Sequence, residues 1–242
     1  MKSEGFDINI YVDQATGFLH GGNQHNCGTW MDKMGSSEKT GNRGVPGTPR
    51  DGAPIELVAL LFTALMFMQS MYEQGLVKTS KVRLANGQEW TYEEWADKIQ
   101  TNFEKHFWVP EDPSDDAYFV IEKKLVKKRG IYKDVFRPSH GHTEYQLRPN
   151  LCVAMAYAPE LFIQQHALTC LQNVEKHMIE PGCMGMKTLD PQDPAYRGDY
   201  VNSDDSHGWN YHQGPEWLWP LGFFLKAKLL FSKYPSKPAA SE

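Results

Sequence analysis

The sequence has no Cys-x-x-Cys pair, no Walker or dinucleotide glycine signature, no surplus of positive charge and no apolar run of bilayer length. Each gap removes a class of function. Four cysteines (Cys27, Cys152, Cys170 and Cys183) lie far apart in 242 residues. That is too sparse for a disulfide scaffold and reads as reduced thiols in a cytosolic protein. Without a glycine signature, neither a P-loop nor a Rossmann site is expected. A net charge of −5 argues against an electrostatic nucleic-acid binder. The basic run Lys123-Lys124 to Lys127-Lys128-Arg129 reads as a solvated loop face. The longest apolar run, Leu57 to Met68, contains Thr63 and falls short of the ~20 residues of a membrane span. Met1 to Ile10 is polar and mixed, so no leader and no membrane anchor are expected. What remains is ordinary globular composition, 40% hydrophobic and 23% charged.

Helices dominate the periodic segments. Residues 54–74 form the clearest one: Pro54 suits a first turn, Glu56 favours the positive end of the helix, and Gly75 marks the stop. This segment is apolar nearly all round and should be buried on most sides. Residues 91–108 form a second helix, with Thr91 and Glu94 spaced as a capping box and Trp95, Ile99, Phe103 and Phe107 recurring every four residues. Two more helices, 150–158 and 159–179, are separated by Pro159, and a fifth runs over 215–233. Residues 1–51 read as loops with a short strand at 8–12. The stretches 110–149 and 181–208 read as loops, and 235–242 as a frayed tail. The expected class is all-α, with the chemistry carried by loops.

Three of those loops lead into helices and share a composition. The first holds Asn26-Cys27-Gly28-Thr29-Trp30-Met31-Asp32-Lys33-Met34 and Thr48-Pro49-Arg50-Asp51-Gly52; the second is Glu144-Tyr145-Gln146-Leu147-Arg148-Pro149-Asn150. The third is Tyr211-His212-Gln213-Gly214-Pro215-Glu216-Trp217-Leu218-Trp219-Pro220. Flat rings interleaved with amides and carboxylates suit a sugar, whose C–H faces are apolar and whose rim is hydroxyl. Asp51 has two readings. It either leads into a helix and accepts backbone N–H bonds, or it is an acid that protonates a glycosidic oxygen. Core packing is the plainer account of the aromatic cluster, but His212, Gln213 and Glu216 would then all need buried partners. His140-Gly141-His142 lacks a third metal ligand nearby and reads as a polar loop, so neither metal nor cofactor is expected.

These loops, with Ala158-Pro159-Glu160-Leu161-Phe162 and Gly185-Met186-Lys187-Thr188-Leu189-Asp190-Pro191, resemble in order the C-terminal glucosidase region of the eukaryotic glycogen debranching enzyme family. The resemblance runs from about Gly21 to Phe231. It implies an (α/α)6 barrel, incomplete within 1–242, and removal by water of the α-1,6-linked glucose at a branch point, with inversion. It implies glycogen or a limit dextrin as substrate and a cytoplasmic setting. Asp51 matches the general acid. Trp30, Asp32, Arg50, Arg148, His212, Gln213, Glu216 and Trp217 match pocket positions. Glu144 stands where the family usually has Asp. The family's Glu-Thr-Gln-Ala-Trp motif, expected to carry the general base, does not occur in the sequence. Nor do the 4-α-glucanotransferase domain and the remaining barrel segments. The alternative is therefore a truncated, catalytically silent glycogen-binding or interaction fragment; a metal-dependent hydrolase built on the histidines is a weaker third.

Overall fold

A computed structural model describes residues 3–200 and 209–233. Five α-helices carry the architecture: α1 (Ile55–Glu73), α2 (Tyr92–Phe107), α3 (Asn150–Tyr157), α4 (Gln164–Met178) and α5 (Trp219–Lys233). α1, α3 and α5 lie side by side, while α2 packs on α1 and α4 on α5. Between the two rows, Phe162 meets Phe103 of α2 and Phe231 of α5 edge to face, at 4.9 and 6.1 Å. Successive helices thus alternate between rows, as an (α/α) barrel requires. Among the described residues they form an open arc, and a closed ring is not formed.

Local chemistry explains the helix ends. Thr91 Oγ1 accepts the Glu94 N–H at 3.0 Å and Glu94 Oε2 accepts the Thr91 N–H at 2.8 Å, which makes the expected capping box of α2. The four-residue repeat buries Trp95, Ile99, Phe103 and Phe107, each contributing ~1.5–3 kcal/mol. α3 stops at Tyr157, a 3-10 turn follows over Pro159–Leu161, and α4 then begins, so the break at Pro159 stands where the sequence puts it. α5 starts at Trp219, not at 215, because Glu216–Trp217 is drawn into an antiparallel pair with Met186–Lys187.

α1 corrects one expectation. Its buried side is Ile55, Val58, Ala59, Phe62 and Leu65, but Leu60, Met66 and Phe67 are exposed. Leu60, Ala64 and Phe67 form one open stripe, so α1 is covered on one side rather than on most. At 19 residues α1 is also longer than the run Leu57 to Met68, long and apolar enough to cross a membrane by length and composition. Here it packs on α2 and α3, and its first turn enters a buried ion network.

The strands were hardly visible in sequence. Among the described residues, five antiparallel pairs hold two or three residues per strand, and the segment expected at 8–12 shrinks to Tyr11–Val12 paired with Leu19–His20. The pair that matters most joins Ala53–Pro54 to Val135–Phe136, tying the start of α1 to the middle of the chain. The expected tail at 235–242 and the end of the expected loop at 181–208 lie outside the described residues.

Candidate active site

The three similar loops converge at the first turns of α1, α3 and α5, through a chain of buried polar contacts. The Arg50 guanidinium grips Glu56 of α1 (2.6 Å to Oε2) and Asp134 (2.6 Å to Oδ2). Asp134 Oδ1 accepts from Asn150 Nδ2 of α3 at 2.8 Å, and Asn150 Oδ1 accepts from the Trp30 indole at 2.7 Å. Burial alone would lower the Arg50 pKa, but Asp134 and Glu56 more than reverse this and raise it. Arg148 holds the third loop. It donates to Gln146 and Gln213 side chains, both at 2.9 Å, and to the carbonyls of Thr188 and His212, at 3.0 and 2.8 Å. Burial pushes the Arg148 guanidinium down to about 10, against the pull of Asp134 and with a push from Arg50. Both arginines are buried and committed to protein partners. Gln213 is committed too, accepting from Arg148 and donating to the Gly47 carbonyl.

The aromatic part of the site is assembled on this frame. Trp30 meets His212, Trp217 and Trp219 edge to face, with ring centroids 5.0, 5.8 and 4.6 Å apart. His212 stacks on Trp217 at 5.4 Å, and Tyr211 closes on Trp217 at 4.8 Å. Trp217 Nε1 donates to the Tyr211 carbonyl at 3.2 Å. His212 is buried, and burial pushes its imidazole down to about 4, with Asp32 opposing. It is therefore neutral near pH 7, and its Nδ1 has no partner among the described residues. Tryptophan faces and edges in one cluster with a neutral imidazole can take the C–H face and a hydroxyl of a sugar.

Asp51 is buried at 7% exposure. Its Oδ2 accepts the Ser139 N–H at 3.0 Å and the Ser139 hydroxyl at 2.5 Å. Its Oδ1 has no partner among the described residues. Pro54, not Asp51, is the N-cap of α1, and no side chain caps that helix. Asp51 thus does not cap α1, although its carboxylate does accept a backbone N–H, that of Ser139. Residues on either side of Asp51, Arg50 and Gly52, line a cavity of about 390 Å³ with His20, Asn26 and Asp32. That volume is within the usual range of small-molecule sites.

The two remaining predicted carboxylates, Asp32 and Glu216, are exposed. Asp32 is exposed at the cavity. Glu216 is exposed and pairs with Lys187 Nζ at 2.9 Å, which also binds Glu180 at 2.8 Å. Glu180, Cys183 and Glu216 place ligand atoms within 4.8 Å of one another, but the lysine already occupies both carboxylates. Glu144 reaches the buried Lys133 ammonium. Burial lowers the Lys133 pKa, with Glu144 opposing. Sequence reading missed Asp134 and Ser139. Each lies more than eighty residues from its arginine or aspartate partner, in a stretch without periodicity, so no local signal marks it.

Comparison with known proteins agrees with this architecture. The profile of the family described as amylo-alpha-1,6-glucosidase matches residues 1–241. Glycogen debranching enzyme of Saccharomyces cerevisiae is 49% identical over 234 residues, covering 94% of this chain. The chain spans only 15% of that protein's length. A profile match along nearly the whole chain, with identity at this level, is not chance likeness: the chain belongs to the amylo-alpha-1,6-glucosidase family, a family of enzymes.

Proposed function

We propose that this region supplies the acid side of an amylo-α-1,6-glucosidase site, and that the substrate is the branch-point glucose of a glycogen limit dextrin. One observation carries the reading: the buried Asp51 carboxyl, unused as a helix cap, with one oxygen held and the other unpartnered. In this reading Asp51 protonates the leaving oxygen of the branch, Trp30 and Trp217 cover the C–H faces of the glucose, and His212 and Asp32 take hydroxyls. Arg50, Arg148 and Gln213 act from behind, holding the loops in register. Water attacks the opposite face of the sugar, activated by a second carboxylate. Residues 1–242 are then part of a glucosidase domain within an (α/α)6 barrel. The base comes from a segment such as the one carrying the Glu-Thr-Gln-Ala-Trp motif, with Glu216 as the fallback. The four unpaired cysteines support a cytoplasmic setting.

A second reading has its own support. Glu216 is held by Lys187 and α1 has an open apolar side; on this reading the chain by itself is a catalytically silent glycogen-binding or interaction fragment. Glucose release from limit dextrin, followed by NMR of the fresh anomer, separates the two. The longer protein containing this region releases β-glucose first, and the chain of 242 residues releases little or none. Release of α-glucose would contradict the two-carboxylate inverting scheme; full activity of the chain alone would place the base among its own residues.

A further inference from the structure

We propose that Ser139 is the positioning residue of the acid, fixing which oxygen of Asp51 delivers the proton. The inference rests on the reading of Asp51 as the acid and adds a residue to it. Both donors of Ser139, backbone and hydroxyl, fall on the same carboxyl oxygen, Oδ2, at 3.0 and 2.5 Å. An oxygen holding two donors is a poor place for a proton, because a protonated oxygen would turn its own hydrogen toward one of them. The proton is therefore confined to Oδ1, which is buried and without a partner among the described residues.

The backbone is shaped to hold Ser139 there. Ala53 pairs with Phe136, which sets the register between the Asp51 loop and the segment leading to Ser139. Between them Gly52 adopts φ +99, and a Cβ on it would come within 2.6 Å of the Phe136 carbonyl. Only glycine permits that approach. On the other side, Arg137 has φ 52, a conformation no other non-glycine residue adopts among those described. A left-handed residue of this kind is strained and persists where surrounding structure holds it. Pro138 follows, and the next N–H is the one that meets Asp51.

The proton on Oδ1 passes to the glycosidic oxygen as the C1–O bond breaks, and the bonding pair leaves with that oxygen. Water bonds to C1 from the opposite face and gives its proton to a carboxylate base. Asp51 is left as a carboxylate whose Oδ2 charge Ser139 already holds. Removing the hydroxyl lets the carboxyl turn and share its proton between both oxygens.

The test uses the longer protein carrying Ser139→Ala, Ser139→Thr or Asp51→Asn. Substrates are limit dextrin, whose leaving oxygen must be protonated, and α-glucosyl fluoride, whose leaving group needs little protonation. A lost hydrogen bond to a charged group predicts that Ser139→Ala lowers kcat on limit dextrin about 10–100-fold with KM unchanged. Fluoride hydrolysis stays within about threefold, and Ser139→Thr, which keeps the hydroxyl, restores most of the dextrin rate. Equal losses on both substrates, or failure of Thr to rescue, would make Ser139 merely structural and overturn the proposal. Full dextrin activity of Ser139→Ala, alongside loss in Asp51→Asn, would overturn it too and leave the acid intact. Full dextrin activity of Asp51→Asn would instead remove the acid assignment itself.

Discussion

At the scale of single residues, the buried charges of the site are held by one another. Asp134 receives Arg50 and Asn150 directly and lies 3.8 Å from Arg148. Asp134→Ala would leave two buried guanidinium groups without their shared counter-charge. Breaking a buried ion pair from one side typically costs ~3–5 kcal/mol, so this variant should show a large fall in its denaturation midpoint, well beyond that of Asp32→Ala at the exposed rim. Similar midpoints for the two would show that the network is not holding the loops. His212 yields a pH prediction. Its folded pKa, about 4, lies below its ordinary value of 6.5. The unfolded chain therefore binds more protons between those values, and stability rises with pH across that window and is lost as pH falls through it. The contribution is at most about 3 kcal/mol. Chemical denaturation at pH 7 and pH 5 should show a smaller loss for His212→Gln than for the parent. An unchanged loss would mean that His212 takes up its proton alike in the folded and unfolded chains. Residue type singled out Trp30, His212 and Trp217, and the structure brings these three together. The partners of the two arginines carry no mark in the sequence. Arg50 and Arg148 look like sugar ligands by type, and only burial and partner geometry show them spent on Glu56, Asp134, Gln146 and Gln213.

Among the elements, the helices were readable and the strands were not. α2 declares itself twice, by a four-residue apolar repeat and by Thr91 and Glu94 at capping distance. Thr91→Ala should lower stability by about 1 kcal/mol, read as a shift in urea midpoint; no shift would mean that the box is not formed in solution. A strand of two residues has no period to detect, and its pairing depends on a partner far along the chain, as with Ala53–Pro54 and Val135–Phe136. That same pairing delivers Ser139 to Asp51, so the part of the site least visible in sequence is the part built on the shortest elements. The start of α5 was misplaced for a related reason. Pro215 is a plausible first-turn residue, but pairing with Met186–Lys187 holds Glu216–Trp217 extended.

Across the whole molecule, the open arc leaves apolar surface uncovered. On α1, Phe67 is 62% exposed beside Leu60 and Met66, and on α5, Leu225 and Leu229 are also exposed. Contiguous apolar surface of this kind favours association. Expressed alone, the chain should self-associate in sedimentation experiments, and Leu60→Gln with Phe67→Gln should shift it toward monomer. A parent chain that sediments as a monomer at all concentrations would show that the stripe is too small to matter. The proposed function stands or falls with Asp51 as the acid of an α-1,6-glucosidase. The most direct measurement is kcat of Asp51→Asn in the longer protein, on limit dextrin and on α-glucosyl fluoride side by side. Asp51→Asn should lose about 10²–10⁴-fold on the dextrin, with the fluoride rate far less affected; equal losses on the two substrates, or none on the dextrin, would show that Asp51 is not the acid.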